Sequence, residues 1–255
     1  MIYLTGDTHG DFYRIAAFCD IQNTSKDDVL IILGDAGLNY HKPVLAAHVK
    51  KQVAALPITL LCIHGNHEAR PQTIPTYHES PWRGGTVLVE DNYPNTLFAI
   101  DGEVYDLDGK QAIVIGGAYS VDKDYRLMHG MNWFADEQPS DEIKRRVEQR
   151  ISKLGNRVDI VLSHTCPYRY EPREAFLSMI DQASVDTSTE QWLDTIEAKL
   201  DYDAWFCGHW HTDKNIDKMH FMFNSVCGLP REASAFVPTQ GDAFPHNTRL
   251  RGKDE

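Results

Sequence analysis

No apolar run in this 255-residue chain is long enough to cross a bilayer. The longest, Val29–Leu33 and Leu60–Ile63, fall far short of the roughly 20 residues that a spanning helix needs. Positive charge is also scarce: Lys plus Arg number 25 against 37 Asp plus Glu, a formal net charge of −12 with His neutral. That balance argues against a broad basic face gripping duplex phosphates and hence against extended nucleic acid as a partner. Glycine and proline, 17 and 12, are too few for a collagen-like or low-complexity architecture. Cys19, Cys62, Cys166, Cys207 and Cys227 are odd in number and contain no C-x-x-C pair. They read as reduced, mostly buried thiols. Met1–Thr5 carries no basic stretch or signal-peptide core, so the expectation is a cytoplasmic protein with no membrane partner. Whole catalytic classes are missing too. There is no G-x-x-x-x-G-K-S/T, no G-x-G-x-x-G and no G-x-S-x-G, which removes P-loop, dinucleotide-binding and serine-hydrolase readings. A cysteine phosphatase needs Arg six positions after its Cys; Cys166 has Pro172 there and Cys62 has Glu68.

What is present suits an ordinary globular chain, 42% hydrophobic and 24% charged. Apolar runs at Ile2–Leu4, Val29–Leu33 and Ile58–Ile63 alternate with helical spacing at Phe12, Ile15, Ala16 and Cys19 and with a helix opened by Pro43. This is β-α-β-α-β, the pattern of a parallel sheet with crossover helices. Thr96–Ile100, Glu103–Leu107 and Lys110–Gly116, separated by Asp101-Gly102 and Asp108-Gly109, read as an antiparallel meander. An α/β half follows: a helix capped by Ser140, a strand at Val158–Leu162, a helix opened by a Thr187-x-x-Glu190 capping box, then strands at Ala204–Cys207 and Met219–Asn224. The Pro-rich insertion holding His78 and Trp82 reads as a packed loop, with a lid as the alternative, and His129 as structural. One domain over 1–230 and a polar tail over 231–255 is the expected organisation.

Five expected strand ends carry ligand-type residues: Asp7-Thr8-His9, Gly34-Asp35, Gly65-Asn66-His67-Glu68, Ser163-His164 and Gly208-His209-Trp210-His211. Open α/β sheets bind ligands outside the carboxyl ends of their strands. In extended chain, residues two apart share a side, so Asp7 with His9, and His209 with His211, can converge. Taken singly, each cluster is an ordinary turn or cap. All five in this order, each at a strand end, point to a metal site.

This ordered set resembles the calcineurin-like metallophosphoesterase superfamily, with motifs running from Asp7 to His211. The resemblance implies an α/β fold, a four-layer α/β/β/α sandwich of two mixed sheets flanked by helices, with a dinuclear metal centre. It places Asp7, His9, Asp35 and His211 on one ion and Asp35, Asn66, His164 and His209 on the other, with Asp35 bridging. His67 is then the catalytic histidine that contacts the phosphate and protonates the leaving oxygen. Two ions roughly 3.5–4 Å apart would bind phosphoryl oxygens and lower the pKa of a water. The mixed nitrogen and oxygen donors point to divalent Mn, Fe or Zn rather than Mg or Ca.

The chain also departs from the pattern. Gly34-Asp35-Ala36-Gly37-Leu38 puts Leu38 where a second Asp, which orients the catalytic His, is usual. His64 stands where phosphoprotein phosphatases carry Arg, which argues against a Ser/Thr protein phosphatase. Tyr119, Lys123, Arg126, Arg169 and Arg173 are candidate substrate contacts, since Arg forks onto phosphate oxygens and Tyr stacks or hydrogen-bonds. The expected activity is hydrolysis of a small, nucleotide-like phosphomonoester or phosphodiester. The alternatives are a nuclease of the same superfamily and a non-catalytic metal-binding scaffold.

Overall fold

The structure is a computed structural model and describes residues 1–229; the expected tail lies outside them. The first half is built as the periodicity predicts: β1 (Ile2–Thr5), α1 (Tyr13–Gln22), β2 (Val29–Ile32), α2 (Pro43–Ala54, with Pro43 in its first turn) and β3 (Thr59–Cys62). β1, β2 and β3 pair in parallel. The second half repeats the idea with α4 (Asp141–Lys153), β9 (Ile160–Ser163), α5 (Ser188–Glu197) and β10 (Ala204–Cys207), after a short α3 (Lys123–Met128). Ser140 caps α4 as expected, its hydroxyl accepting from the Ile143 N–H at 3.3 Å.

Between the halves, the Pro-rich insertion is not a loop. It forms a hairpin, β4 (Tyr77–Trp82) and β5 (Gly85–Glu90), turned by Arg83 and Gly84, both at positive φ. Pro81 is tolerated because β4 is an edge strand that leaves one side unpaired. Nor is the next stretch a meander. β6 (Thr96–Ala99) joins β3 and β5, whereas β7 (Val104–Leu107) and β8 (Lys110–Ile115) pair in the other sheet. Asp101 is the crossing point rather than a hairpin corner. Its buried carboxylate accepts from the Gly116 N–H at 2.5 Å and from the Arg70 guanidinium at 2.6 Å, tying the ends of the two sheets together.

β11 (Lys214–Ile216), β12 (Met219–Phe221) and β13 (Val226–Leu229) complete the fold. The last expected strand, Met219–Asn224, is β12 in the second sheet, and β13 is an unforeseen strand beyond it that returns to the first sheet, antiparallel to β1. The sheets run β13-β1-β2-β3-β6-β5-β4 and β11-β12-β10-β9-β8-β7.

The central strands are apolar on both faces because both faces are covered. Leu4, Ile31 and Leu61 point inward against Val114, Leu162 and Phe206 of the facing sheet. Leu30, Ile32 and Leu60 point outward against Ile15, Phe18 and Val53 of α1 and α2. Val161 and Trp205 do the same against Val147, Leu193 and Ile196 of α4 and α5. Helix, sheet, sheet, helix is the four-layer order. The Thr187–Glu190 capping box does not form: the Thr187 hydroxyl accepts from the Gln191 amide, and Glu190 turns into the interior, where burial pushes its carboxyl up to about 7. All five cysteines are free and buried. No helix among the described residues is long and apolar enough to cross a membrane.

Candidate metal centre

Each ligand-type residue follows the carboxyl end of a parallel strand: Asp7 and His9 after β1, Asp35 after β2, Asn66 after β3, His164 after β9, His209 and His211 after β10. The turns needed to aim them are severe. His9 (φ 48°), Asp35 (φ 48°), His209 (φ 66°) and His211 (φ 48°) all have left-handed backbone. That conformation is uncommon for non-glycine residues, and such strain concentrates at functional sites. Here it is held by a clamp between adjacent loops. The Asp35 carbonyl accepts from the N–H groups of Thr8 (3.2 Å) and His9 (2.8 Å), and the Ala36 carbonyl from Gly10 N–H (3.0 Å) and the Thr8 hydroxyl (2.9 Å).

The two carboxylates are oriented in the same way. Asp7 Oδ1 accepts from the His209 N–H at 2.9 Å, and Asp35 Oδ1 from the His67 N–H at 2.8 Å, so each presents Oδ2 to the centre. Asp7 Oδ2 lies 3.3 Å from His211 Nε2 and 3.7 Å from His9 Nε2, and those two imidazole nitrogens are 2.9 Å apart. On the other side, Asn66 Oδ1 sits 2.8 Å from His164 Nε2 and 3.1 Å from His209 Nδ1. Asp35 Oδ2 stands between the halves, 3.9 Å from His9 Nδ1 and 3.7 Å from His164 Nε2. All seven residues singled out in the sequence meet here.

The donor set fits a cation. Asp7 Oδ2 is buried and faces only the ring nitrogens of His211 and His9, a costly setting for an anionic oxygen unless a positive group completes it. His164 Nδ1 faces the Leu33 carbonyl at 2.8 Å, and a carbonyl only accepts, so the proton is on Nδ1 and the Nε2 lone pair faces inward. Asp7, His9 and His211 form one compact donor group, and Asp7, Asp35 and His164 another. Burial alone would raise the Asp7 carboxyl, but the His211 hydrogen bond and the neighbouring imidazoles outweigh it and hold Asp7 below the usual carboxylate range. Burial keeps His209 well below the ordinary imidazole range, in the neutral form that a ligand needs. Two glycines make the approach possible. A Cβ on Gly34 would collide with the His164 ring, and one on Gly208 with Asp7 Oδ1.

A support not visible in the sequence lies behind Asn66. Its Nδ2 donates to Ser120 Oγ at 2.9 Å, which fixes Oδ1 toward the imidazoles. Ser120 is held in turn by buried Glu137, whose Oε1 accepts the Ser120 N–H at 3.2 Å and whose Oε2 accepts the Trp133 indole N–H at 2.8 Å. Ser120→Ala leaves the Asn66 amide free to rotate. Metal affinity, measured by competition with a chromophoric chelator, should weaken roughly 10–100-fold, the usual effect of losing an outer partner, with the circular dichroism spectrum unchanged.

His67 faces the cleft beside this centre. Leu38 is fully buried in the apolar layer under α1 and α2, so nothing acidic occupies that position. The charged neighbour of His67 is Arg126 of α3, whose Nη2 lies 3.4 Å from Nε2. Arg126 is itself held by Asp122 (Nε to Oδ2, 2.8 Å) and Tyr40 (3.2 Å to its hydroxyl). Burial pulls the His67 imidazole below its ordinary range; Asp35 opposes that shift and Arg126 adds to it. Of the candidate substrate contacts, Arg126 and Arg173 line the cleft. Tyr119, Lys123 and Arg169 are not among the lining side chains. Lys123 lies over the Trp133 ring at 4.4 Å, with Tyr119 at 5.9 Å. Arg169 spends its guanidinium on Asp194 and Glu197, each at 3.2 Å. His64 is buried and, by that burial and nearby Arg70, kept neutral.

An α/β/β/α sandwich with carboxylate, amide and imidazole donors gathered at the ends of both sheets is the architecture of metallophosphoesterases. Residues 1–213 match the calcineurin-like phosphoesterase family, and the chain belongs to it. Among solved structures, TT1561 of Thermus thermophilus aligns with a TM-score of 0.50 at 13% identity, covering 92% of this chain and 97% of that one. A novel archaeal phosphodiesterase aligns at 0.38 and 10% identity over 92% and 98%. AQ665 of Aquifex aeolicus, of unknown function, aligns at 0.32 and 15% over 67% and 81%. No curated protein matches the chain.

Proposed function

We propose that the protein is a phosphoric-ester hydrolase that uses two divalent transition ions, Mn, Fe or Zn, to cleave a small phosphomonoester or phosphodiester, nucleotide-like compounds included. The observation that carries this reading is the convergence of seven donors from five strand ends around the buried Asp7 and Asp35 carboxylates. When bound, the ions supply charge neutralisation of phosphoryl oxygens and a water of lowered pKa. The chain supplies the rest. Asp35 Oδ2, set between the two halves, is placed to serve both. Arg126, pre-oriented by Asp122 and Tyr40, binds a non-bridging phosphoryl oxygen. Water adds to phosphorus and gives up a proton to solvent, the ester P–O bond breaks, and protonated His67 gives the departing alkoxide its proton, to be reprotonated from solvent. A cytoplasmic setting suits five reduced, buried cysteines, and the net charge of −12 favours a small substrate over long nucleic acid.

The test is a panel of monoesters, linear and cyclic diesters and dinucleoside polyphosphates, assayed with each metal and with chelator. Hydrolysis that chelator abolishes and added metal restores is the expected result. Metal uptake without turnover of any ester would leave the scaffold reading standing, and tight, salt-sensitive binding to long DNA would favour the nuclease.

A further inference from the structure

The cleft beside the metal centre has a volume of about 940 Å³. That is near the upper end of the roughly 300–1,000 Å³ typical of small-molecule sites and far more than a phosphoryl group fills. Its lining combines two kinds of side chain. At the floor are His9, Asp35, Asn66 and His67, with Arg126 beside them. Beside these are apolar side chains from two segments, Val121 and Met131 from one and Phe176, Leu177, Ile180 and Val185 from the other. The two regions are continuous, because the Phe176 ring stacks on Trp210, between the candidate ligands His209 and His211, with centroids 5.6 Å apart and planes at 19°.

The exposed apolar side chains of the molecule are concentrated here. Of thirteen large hydrophobic residues exposed among the described ones, eight lie on 121–131 and 168–179, the two segments that frame the cleft. Leu177 is 56% exposed, Met131 44% and Val121 39%. Four of the eight, Val121, Met131, Tyr168 and Leu177, line the cleft itself, and exposed apolar area gathered beside a polar site marks a binding surface. Polar groups are interspersed with this apolar area: Tyr168, Glu171, Arg173, Gln182 and Thr187 also line the cleft.

We propose that the cleft accepts an amphiphilic phosphoester, with the phosphate at the metal centre and Arg126, and an extended hydrocarbon-bearing alcohol lying between the Val121–Met131 and Phe176–Val185 walls. The proposal rests on reading the centre as a phosphoester site and adds the class of alcohol. It matches the lining of the cleft: the donor residues and Arg126 for the phosphate, apolar side chains from two segments for the alcohol, and a volume far beyond a phosphoryl group.

The experiment uses n-alkyl phosphonates, whose C–P bond is not an ester, titrated calorimetrically below their micellar concentrations into the full-length, metal-loaded protein. Each fully buried methylene strengthens binding roughly fourfold. Octylphosphonate should therefore bind at least about 30-fold more tightly than butylphosphonate, even with the extra chain only partly buried. In a Leu177→Ser, Ile180→Ser double variant, shown to keep its metal content, that ratio should fall below about threefold. A flat chain-length series overturns the proposal, as does a gain that survives in the double variant or adenosine monophosphate binding more tightly than octylphosphonate. Chain-length-dependent binding with no ester turned over would support this inference and sink the proposed activity, whereas turnover indifferent to chain length would do the opposite.

Discussion

Replacing Asp35 with Asn should strip the centre of metal on both sides at once. The substitution preserves shape, and the amide oxygen can still accept the His67 N–H that now binds Oδ1 at 2.8 Å. Its NH₂ then takes the position of Oδ2, between His9 Nδ1 and His164 Nε2. A shared anionic donor becomes an amide NH₂ facing the His164 Nε2 lone pair, and both halves lose the charge that offsets bringing cations together. Elemental analysis after dialysis should fall from about two ions per chain to well under one, and turnover by at least about 1,000-fold, the several kcal/mol that a Lewis-acidic pair supplies. The Asp7→Asn variant is the comparison, because Asp7 shares donor groups with both halves through His9 and His211 on one side and His164 on the other. Retention of two ions by Asp35→Asn would remove Asp35 from the bridging role.

The residues of this centre were readable because each lies just beyond a short apolar strand, and strand ends in a parallel sheet face one crevice. β1, β2 and β3 announce themselves by runs buried on both faces, and Gly34 and Gly208 mark where the chain must let a ligand approach. What stayed hidden depends on partners distant in the chain. β13 exists because Leu229 pairs with Ile2 at the opposite end of the sequence, a registry no local pattern contains. Asp101-Gly102 has the letters of a hairpin turn, but β6 finds better partners in β3 and β5, and the Asp side chain is claimed by Arg70 and Gly116. Glu190 has the spacing of a cap residue and is instead drawn inside when α5 packs. The support of Asn66 by Ser120 and Glu137 leaves no periodic trace, since it joins three loops by hydrogen bonds rather than by repeated burial.

His67→Ala should separate chemistry from metal binding. The His67 ring lies 5.8 Å from the His9 ring and its Nε2 faces Arg126, so the imidazole belongs to the cleft rather than to the donor cluster. The tie of His67 to the ligands runs through its backbone N–H to Asp35 Oδ1, and alanine keeps that N–H. Metal content should therefore stay within error of the parent protein. Turnover should drop roughly 100–10,000-fold, the range for losing a positioned proton donor. The drop should depend on the leaving group: large for an alkyl ester, whose alkoxide cannot depart unprotonated, and several-fold at most for a nitrophenyl ester, whose phenolate can. Because Leu38 places no acid at the usual orienting position, Arg126 and its Asp122 anchor hold the imidazole side of the cleft. A negatively charged phosphoryl group entering between His67 and Arg126 would favour the protonated ring that the apo surroundings disfavour. Matched losses for alkyl and nitrophenyl esters would assign His67 to phosphate binding alone, and loss of metal in His67→Ala would return it to the ligand set.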